Sequence, residues 1–245
     1  MTRSLILAIS AFSVAAAACG QQQAVSPDRA ATEEIIRSYL LENPEVIEEA
    51  LIALQAQRNA EEAEASRTAI LDNRTQLVNL ETDYALGPED AAVTVVEFFD
   101  YRCGPCRASM ETVNALPERY AGQVRVVFKE FPILSPESAK AAIGALAAGR
   151  QGKYVEMHQA LMRSPSDFTD DDIAEIAEQV GVDMDQWRED IEDNALIDQI
   201  DANFNLAQTI GANATPTFVI GDELFSGLNR EKMERLISDG IARSG

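Results

Sequence analysis

The sequence predicts an α/β domain with a helical domain inserted into its sheet and a helical extension before it. The order of the patterns carries this prediction. The apolar run "AVTVVEFF" is followed by a helical pattern at residues 104–120, and "QVRVVFKEF" follows as a second strand. Helical patterns then continue, before two short strands joined by a Gly-Asp turn and a last helix from Arg230. We therefore place the main domain at residues 80–245 and its helical insertion at about 135–210.

The N-terminus has the pattern of a secretory signal peptide, which we place at residues 1–18. Arg3 precedes an apolar stretch and then small residues, and this stretch is too short to cross a bilayer as a mature helix. At Cys19 the letters "AAAC" and the polar tail behind them resemble a bacterial lipoprotein lipobox, so Cys19 is a candidate for lipidation; ordinary cleavage nearby is the alternative. Residues 19–26 are expected to be a linker. The mature protein is expected to be periplasmic or extracytoplasmic, with a membrane anchor if Cys19 is lipidated.

Residues 27–79 form the predicted helical extension. A break at Asn43-Pro44 separates two amphipathic helices, and residues 55–68 contain strong helix formers but no large apolar residue, which predicts a solvated strut. A pair of helices this short cannot bury its apolar stripes alone. We therefore expect this extension to self-associate, so that the protein forms a homo-oligomer, either a trimer or a dimer. The two stripes consist of Ile35, Ile36, Tyr39, Leu40, Ile47, Leu51 and Leu54.

The charge balance argues against two classes of partner. The chain has 20 basic and 41 acidic residues, which gives a formal net charge of −21. Nucleic-acid binding requires Lys and Arg to neutralise phosphates, so no nucleic acid is expected as a partner. Docking on anionic lipid headgroups is disfavoured for the same reason. The acidic surface is expected to keep the protein soluble.

Cys103 and Cys106 are separated by two residues and could serve as a metal clip, a structural staple or a reacting pair. Structural zinc usually needs four Cys or His ligands, and the mature chain adds only His158, which is expected to be an ordinary helix residue. We therefore expect no metal site and no other cofactor. A disulfide that closes so small a loop restricts the unfolded chain little and adds little stability. The reacting pair is the favoured interpretation.

A reacting pair also fits the position of the cysteines between a strand and a helix. Cys103 is expected to begin the helix, where free N–H groups and the helix dipole stabilise a thiolate. Arg102 and Arg107 add positive charge nearby. Cys103 is therefore the expected nucleophile with a lowered pKa. Cys106, one turn into the helix, is expected to be shielded and to act as the resolving thiol.

The segment "EFFDYRCGPC" resembles the active-site segment of DsbA-type thiol–disulfide oxidoreductases, which belong to the thioredoxin superfamily. "GANATPTFVIGDELFSG" is similar to the second signature of that family, and the resemblance covers about residues 80–245. It implies a thioredoxin-like fold with an inserted helical domain, in agreement with the order of elements above. The N-terminal "EEIIRSYLLENPEVIEEAL" resembles the extension of the suppressor-of-copper-sensitivity C-type proteins, whose relatives can oligomerise through it.

The resemblance implies roles for further residues. Pro216 matches the cis-proline that faces the cysteines in this family, so Thr215 and Pro216 are expected to bind substrate. Thr at this position favours an isomerase, because family oxidases often have Val there. Glu97 matches a buried acid; its pKa would be raised, and it could carry a proton to or from Cys106. Lys129, in the neighbouring strand, is either the partner of Glu97 or a solvated residue at the strand's end.

Two functions remain open from the sequence. The first is an exported oxidoreductase, either a disulfide isomerase or reductase or an oxidase, whose substrates are proteins with thiols or disulfides and form a mixed disulfide with Cys103. Such an enzyme needs a membrane redox partner. Between the cysteines, Gly104-Pro105 is the dipeptide of reducing thioredoxins. The strong oxidant of the DsbA family has Pro-His there instead. The alternative is a copper-binding or holdase protein whose two thiols bind Cu(I) as soft ligands.

Overall fold

The computed structural model describes residues 27–79 and 81–244. The predicted signal peptide at residues 1–18, the linker at 19–26 and Cys19 lie outside the described residues. The chain divides into two compact units after Gln55. The predicted fold class is confirmed, because the structure has a mixed sheet with many helices and begins with a helical segment.

The described part of the first unit contains helix α1 (Pro27–Glu42) and the beginning of helix α2 (Glu45–Asp72). The predicted break between them is present. The backbone N–H and the side-chain amide of Asn43 both donate to the Tyr39 carbonyl, at 2.9 and 2.8 Å. Pro44 follows, which disfavours a helical conformation at the residue before it and so separates the two helices.

The apolar stripes of this unit lie largely open to solvent. Ile35 is 69% exposed and Leu51 61%, and only Leu40 among the predicted stripe residues is half-buried. The neighbouring Leu41, which is not one of the predicted stripe residues, is 73% exposed. Exposed apolar surface of this extent is typical of an interaction site. The other exposed members of the two stripes are Ile36, Tyr39, Ile47 and Leu54.

In the second unit, α2 is exposed at residues 56–65 and then packs on the sheet. Arg67 forms an ion pair with Asp222, with 2.6 Å between nitrogen and oxygen. One turn further, Ile70 is fully buried in a cluster that includes the short helix α3 (Arg74–Leu77). Residues 56–65 of the segment predicted as a strut are thus exposed, and contact with the domain begins at Arg67, close to the end of that segment.

The sheet has five strands in the order β1-β3-β2-β4-β5. The pair β2 and β3 is parallel, and the other neighbours are antiparallel. Six of the seven β2 residues are buried, as expected for a central strand with an apolar run. The edge strand β1, which has only three residues, was not predicted. The strands are β1 (Tyr84–Leu86), β2 (Val93–Phe99), β3 (Val124–Glu130), β4 (Thr217–Ile220) and β5 (Glu223–Ser226).

The helix predicted at residues 104–120 is two helices, because the chain turns at Ala115 before Pro117 and the hydrogen-bond ladder restarts there. Between β3 and β4 lie five helices, α6 to α10, which we call the helical insertion. Its first helix is capped by Ser135, whose hydroxyl accepts from the Ser138 N–H at 3.2 Å. The helices are α4 (Gly104–Asn114), α5 (Leu116–Arg119), α6 (Pro136–Arg150), α7 (Tyr154–Arg163), α8 (Asp170–Val180), α9 (Met184–Asp190), α10 (Asn194–Ile210) and α11 (Arg230–Ser244).

Side chains of β2 alternate between two cores on opposite faces of the sheet. Val95 and Phe99 belong to the larger core, which also contains α4 and most of the helical insertion. Val96 and Phe98 belong to the smaller core, with the end of α2 and the end of α10. Because both faces of β2 are buried, its C-terminal end is held rigidly, and this end leads directly to the two cysteines.

Candidate active site

The two cysteines lie where β2 ends and α4 begins. Cys103 is the N-cap residue of α4, with an extended backbone (φ −73°, ψ 112°), and Gly104 and Pro105 occupy the first helical positions. Proline fits there because its missing N–H would have no helical partner. Both cysteines are free thiols. Cys103 is 5% exposed whereas Cys106 is fully buried, so Cys103 is the more accessible of the pair.

The surroundings stabilise a thiolate at Cys103. Its pKa is lowered from 9.0 to about 6, first by the hydrogen bond from the Cys106 thiol and also by the Cys106 backbone N–H, while partial burial opposes the shift. The N-terminus of α4 favours negative charge in the same direction. Burial raises the pKa of Cys106 instead, so this thiol keeps its proton. The pair thus combines one thiolate with one protonated, shielded thiol.

The two arginines beside the pair bind the helical insertion. Arg102 donates to the Asp167 carbonyl at 3.3 Å and forms ion pairs with Glu137 and Asp167, each at 3.6 Å. Arg107 donates to the Ser164 carbonyl. In the described part of the chain these contacts engage both guanidinium groups, and the leading cause of the lowered Cys103 pKa is Cys106. The two arginines therefore connect the start of α4 to the helical insertion. This structural role was not predicted from the sequence.

A second loop, at the start of β4, contacts Cys103. The Thr215–Pro216 peptide bond is cis. The Cys103 thiol donates to the Thr215 carbonyl, with 3.1 Å between sulfur and oxygen. The Pro216 carbonyl accepts from the Gly227 N–H at 2.7 Å, which ties this loop to the end of β5. The fold thus brings together two segments that are 112 residues apart in the sequence.

Glu97 lies within β2 and is buried on the same face as α4. Burial raises its pKa from 4.5 to about 8. Its Oε1 lies 3.5 Å from the hydroxyl of Ser109, and the same hydroxyl donates to the Cys106 carbonyl at 2.8 Å. The negative charge of Glu97 in turn contributes to the raised pKa of Cys106. A titratable carboxyl and the shielded thiol are therefore electrostatically linked in one buried region.

Lys129 is neither the partner of Glu97 nor a solvated residue, so both interpretations from the sequence are wrong. It points to the other face of the sheet, where it forms a buried ion pair with Asp83 at 2.7 Å. It also donates to the Gln76 carbonyl at 2.8 Å. The side chains of a strand alternate between faces, and Lys129 follows Phe128, the register partner of Glu97. This one-residue offset separates the lysine from the glutamate.

Asp100 was missed by the sequence analysis, although it organises the loop that leads to Cys103. Its carboxylate accepts three hydrogen bonds, from the Arg102 N–H at 2.7 Å, the Ser138 hydroxyl at 2.7 Å and the Leu134 N–H at 2.9 Å. The Cys103 N–H donates to the Asp100 carbonyl at 3.0 Å. A polar residue directly after a buried strand and three residues before Cys103 was the signal that could have identified it.

The described residues contain neither a candidate metal cluster nor a helix suited to a membrane span. No group of three or more His, Cys, Asp or Glu side chains in this part of the chain is arranged to hold a metal ion. None of the helices in residues 27–79 and 81–244 is both long and apolar enough to cross a membrane.

Comparison with known proteins identifies both parts of the chain. A family model described as Thioredoxin matches residues 79–239, and one described as the N-terminal domain of copper resistance protein ScsC matches residues 28–61. A solved thioredoxin-like oxidoreductase from Silicibacter pomeroyi DSS-3 is 38% identical, with a TM-score of 0.65, over 71% of this chain and 99% of that one. The solved thiol-disulfide exchange protein alpha-DsbA2 from Wolbachia pipientis is 30% identical, with a TM-score of 0.67, over 72% of this chain and 96% of that one.

Fold and cysteine geometry together define a DsbA-type thioredoxin-fold protein with an ScsC-like N-terminal extension. The chain belongs to the Thioredoxin family, whose model matches more than half of its length. Among curated relatives, Na(+)/H(+) antiporter NhaA 3 from Salinispora tropica is 31% identical over 168 residues, or 67% of this chain. This chain spans 26% of that relative's length.

Proposed function

We propose that this protein is an exported thiol–disulfide oxidoreductase that acts on protein substrates through Cys103. The asymmetry of the cysteine pair carries the proposal: Cys103 has a pKa of about 6 at a helix N-terminus, whereas Cys106 is fully buried and protonated. A structural disulfide needs no such asymmetry. Thiol–disulfide exchange requires one thiolate that attacks the substrate and a second thiol that stays protonated until the resolving step. The neighbours described as a thioredoxin-like oxidoreductase and a thiol-disulfide exchange protein support the same class.

The reaction proceeds in two exchange steps. The Cys103 thiolate attacks one sulfur of a substrate disulfide, so that a mixed disulfide forms and the other substrate sulfur leaves as a thiolate. The Cys106 thiol then loses its proton to the Glu97 carboxylate and attacks Cys103 Sγ, which releases the second substrate thiolate and closes the Cys103–Cys106 disulfide. Two electrons pass from the protein to the substrate. The same steps in reverse donate a disulfide.

Substrate binding is assigned to the loop at Thr215 and Pro216. The Thr215 carbonyl already contacts Cys103 Sγ, so a polypeptide attached to this sulfur would lie along the same backbone. Ile133 and Leu134 expose apolar side chains, and the Leu134 N–H donates to Asp100 in the loop that leads to Cys103. Exposed apolar side chains connected to this loop suit unfolded or misfolded chains, which expose apolar residues.

The direction of electron flow is proposed to be that of an isomerase or reductase. Thr215 and the dipeptide Gly104-Pro105 favour it, and such an enzyme would receive electrons from a membrane redox partner. Equilibration in glutathione buffers measures the potential of the couple. A potential well below that of the oxidising compartment would support this direction, whereas one close to that of the strong oxidants would make the protein a disulfide donor.

The N-terminal extension is proposed to assemble the protein into a homo-oligomer, a trimer or a dimer. The apolar side chains of the first unit are exposed, and association would bury them. We expect Leu51→Glu to lower the molar mass measured by light scattering to that of a monomer, because a charge would be buried at the contact. Ala60→Glu, at an exposed strut position, serves as control and should leave the mass unchanged. A monomeric wild type, or an unchanged mass in Leu51→Glu, would contradict this assembly.

Export and anchoring are proposed from the signal pattern that ends at Cys19. The mature protein is placed in the periplasm or another extracytoplasmic compartment, where disulfide chemistry proceeds. Cell fractionation followed by mass spectrometry of the mature N-terminus tests this. A lipid-modified Cys19 in the membrane fraction would support an anchor; an unmodified N-terminus in the soluble periplasmic fraction would exclude it.

Copper binding is the second candidate function. It is favoured by the match of residues 28–61 to a domain of a copper resistance protein and by two free thiols close together, which are soft ligands suited to Cu(I). A measurement of catalysed disulfide exchange in copper-free buffer distinguishes the oxidoreductase from the copper-binding protein. Catalysed disulfide exchange without copper supports the oxidoreductase; tight Cu(I) binding by a protein without turnover supports the binder.

A further inference from the structure

Behind the active-site loop, four buried polar side chains form a hydrogen-bond network that the exchange steps do not use. Glu130, the last residue of β3, accepts at Oε1 from the Tyr101 hydroxyl at 2.9 Å and from the Tyr154 hydroxyl at 2.7 Å. His158 Nδ1 lies 3.3 Å from the Tyr101 hydroxyl. All four residues are at most 2% exposed. The network therefore joins the sheet, the loop before Cys103 and helix α7 of the insertion.

A carboxyl at this position is costly, since its hydrogen-bonding neighbours supply no positive charge. Burial raises the pKa of Glu130 to about 8 and lowers the pKa of His158 to about 3, so the imidazole is neutral. Desolvation of a carboxyl in such surroundings is unfavourable, and an apolar side chain would fill the space at a lower cost. A polar group kept there despite that cost indicates that the position of its partners matters.

One side of this network is anchored in the helical insertion. Tyr154 stacks on Tyr84 with 4.2 Å between ring centroids, which fixes the ring whose hydroxyl reaches Glu130. The Glu130 carbonyl accepts from the side-chain amide of Asn203 in α10 at 3.1 Å. Glu130 is thus held by two helices that pack in the core. Its other contact, the hydroxyl of Tyr101, belongs to the loop that ends at Cys103.

We propose that Glu130 is a positioning residue for the nucleophile: through Tyr101 it fixes the loop at residues 100–103 and so sets how well α4 stabilises the Cys103 thiolate. This inference rests on the proposed function, in which Cys103 attacks the substrate. Asp100 restrains the same loop through Leu134 and Ser138, so the two carboxyl groups hold adjacent residues. Loss of the Tyr101 contact lets the loop move and weakens the hydrogen bonds from Cys106 that stabilise the thiolate.

The test follows the Cys103 thiolate by its ultraviolet absorbance during a pH titration of the full-length reduced protein. Tyr101→Phe keeps the ring and removes only the hydroxyl; we expect the thiolate fraction at pH 6 to fall about threefold. Glu130→Leu, which removes the carboxyl that accepts from both hydroxyls, should do the same. Glu130→Gln retains a carbonyl oxygen that accepts both hydroxyls and should restore the wild-type titration.

Tyr84→Phe is the matched control. Its hydroxyl donates to the Leu146 carbonyl at 3.4 Å and has no contact with Glu130, so this variant should titrate as the wild type does. If Tyr101→Phe leaves the Cys103 titration unchanged and only lowers the unfolding temperature, the network is merely structural and the proposal is overturned. This decision stands even if Glu130→Leu fails to fold. Because the titration needs no substrate, its result is independent of whether the wild type shows turnover.

Discussion

Replacement of Cys103 by Ser is expected to reduce the catalysed reduction of insulin by dithiothreitol to the rate of buffer alone. The serine hydroxyl is not ionised at neutral pH and cannot form a mixed disulfide, whereas the Cys103 thiol has a pKa of about 6 and is largely thiolate. Cys106 cannot substitute for it, because its thiol is fully buried and its pKa is raised by that burial. The rate is measured from the turbidity of the precipitating insulin B chain.

Cys106→Ser is the informative control for this experiment. It keeps the nucleophile and removes the resolving thiol, so a mixed disulfide between Cys103 and substrate should accumulate on a non-reducing gel. Cys103→Ser should give no such adduct. Circular dichroism spectra that match the wild type exclude misfolding as the cause. Full turnover in Cys103→Ser would contradict the assignment of Cys103 as the nucleophile.

Glu97→Gln is expected to slow the resolving step on the order of 100-fold, the usual scale of general acid–base catalysis. The carboxyl has a pKa of about 8 and must be ionised to accept the Cys106 proton, so the wild-type resolving rate rises with pH through this value. The amide accepts no proton, and the rise around pH 8 should disappear. Stopped-flow measurement of mixed-disulfide decay between pH 6 and about 9.5 gives both results.

Glu111→Gln provides the matched control, since Glu111 is exposed on α4 and its loss should leave the resolving rate and its pH dependence unchanged. The pH dependence of the free energy of unfolding gives a separate check on the raised pKa of Glu97, and its direction can be predicted. Between pH 4.5 and about 8 the unfolded chain ionises Glu97 but the folded chain does not, so wild-type stability falls as pH rises through this window. Glu97→Gln removes that contribution. A wild-type resolving rate in this variant would remove Glu97 from the mechanism.

Local patterns were sufficient to predict the elements that hold the site. The continuous apolar run of β2 predicted a central strand, and the helical pattern at residues 104–120 predicted that a helix begins directly after Cys103. The order of the elements predicted the helical insertion between β3 and β4. These features depend on residues close together in the sequence, where strand and helix periodicity act directly.

Contacts between distant segments could not be predicted in the same way. The partner of Lys129 is Asp83, which lies 46 residues away in the sequence. Glu130 accepts hydrogen bonds from Tyr101, in the loop after β2, and from Tyr154, in the helical insertion. No periodic pattern links such residues, and each alone resembles an ordinary polar residue near a strand end. The edge strand β1 was missed because three residues are too few for an alternating pattern.

The most direct test of the account is the pH dependence of Cys103 alkylation in the reduced wild-type protein. Iodoacetamide is added over a range of pH, and the modified cysteine is identified by mass spectrometry. The account predicts a rate that is half-maximal near pH 6, with Cys103 modified and Cys106 protected in the folded protein. A midpoint near 9.0, the value of an unperturbed thiol, or modification of Cys106 first would contradict the claim that this fold activates Cys103 as its nucleophile.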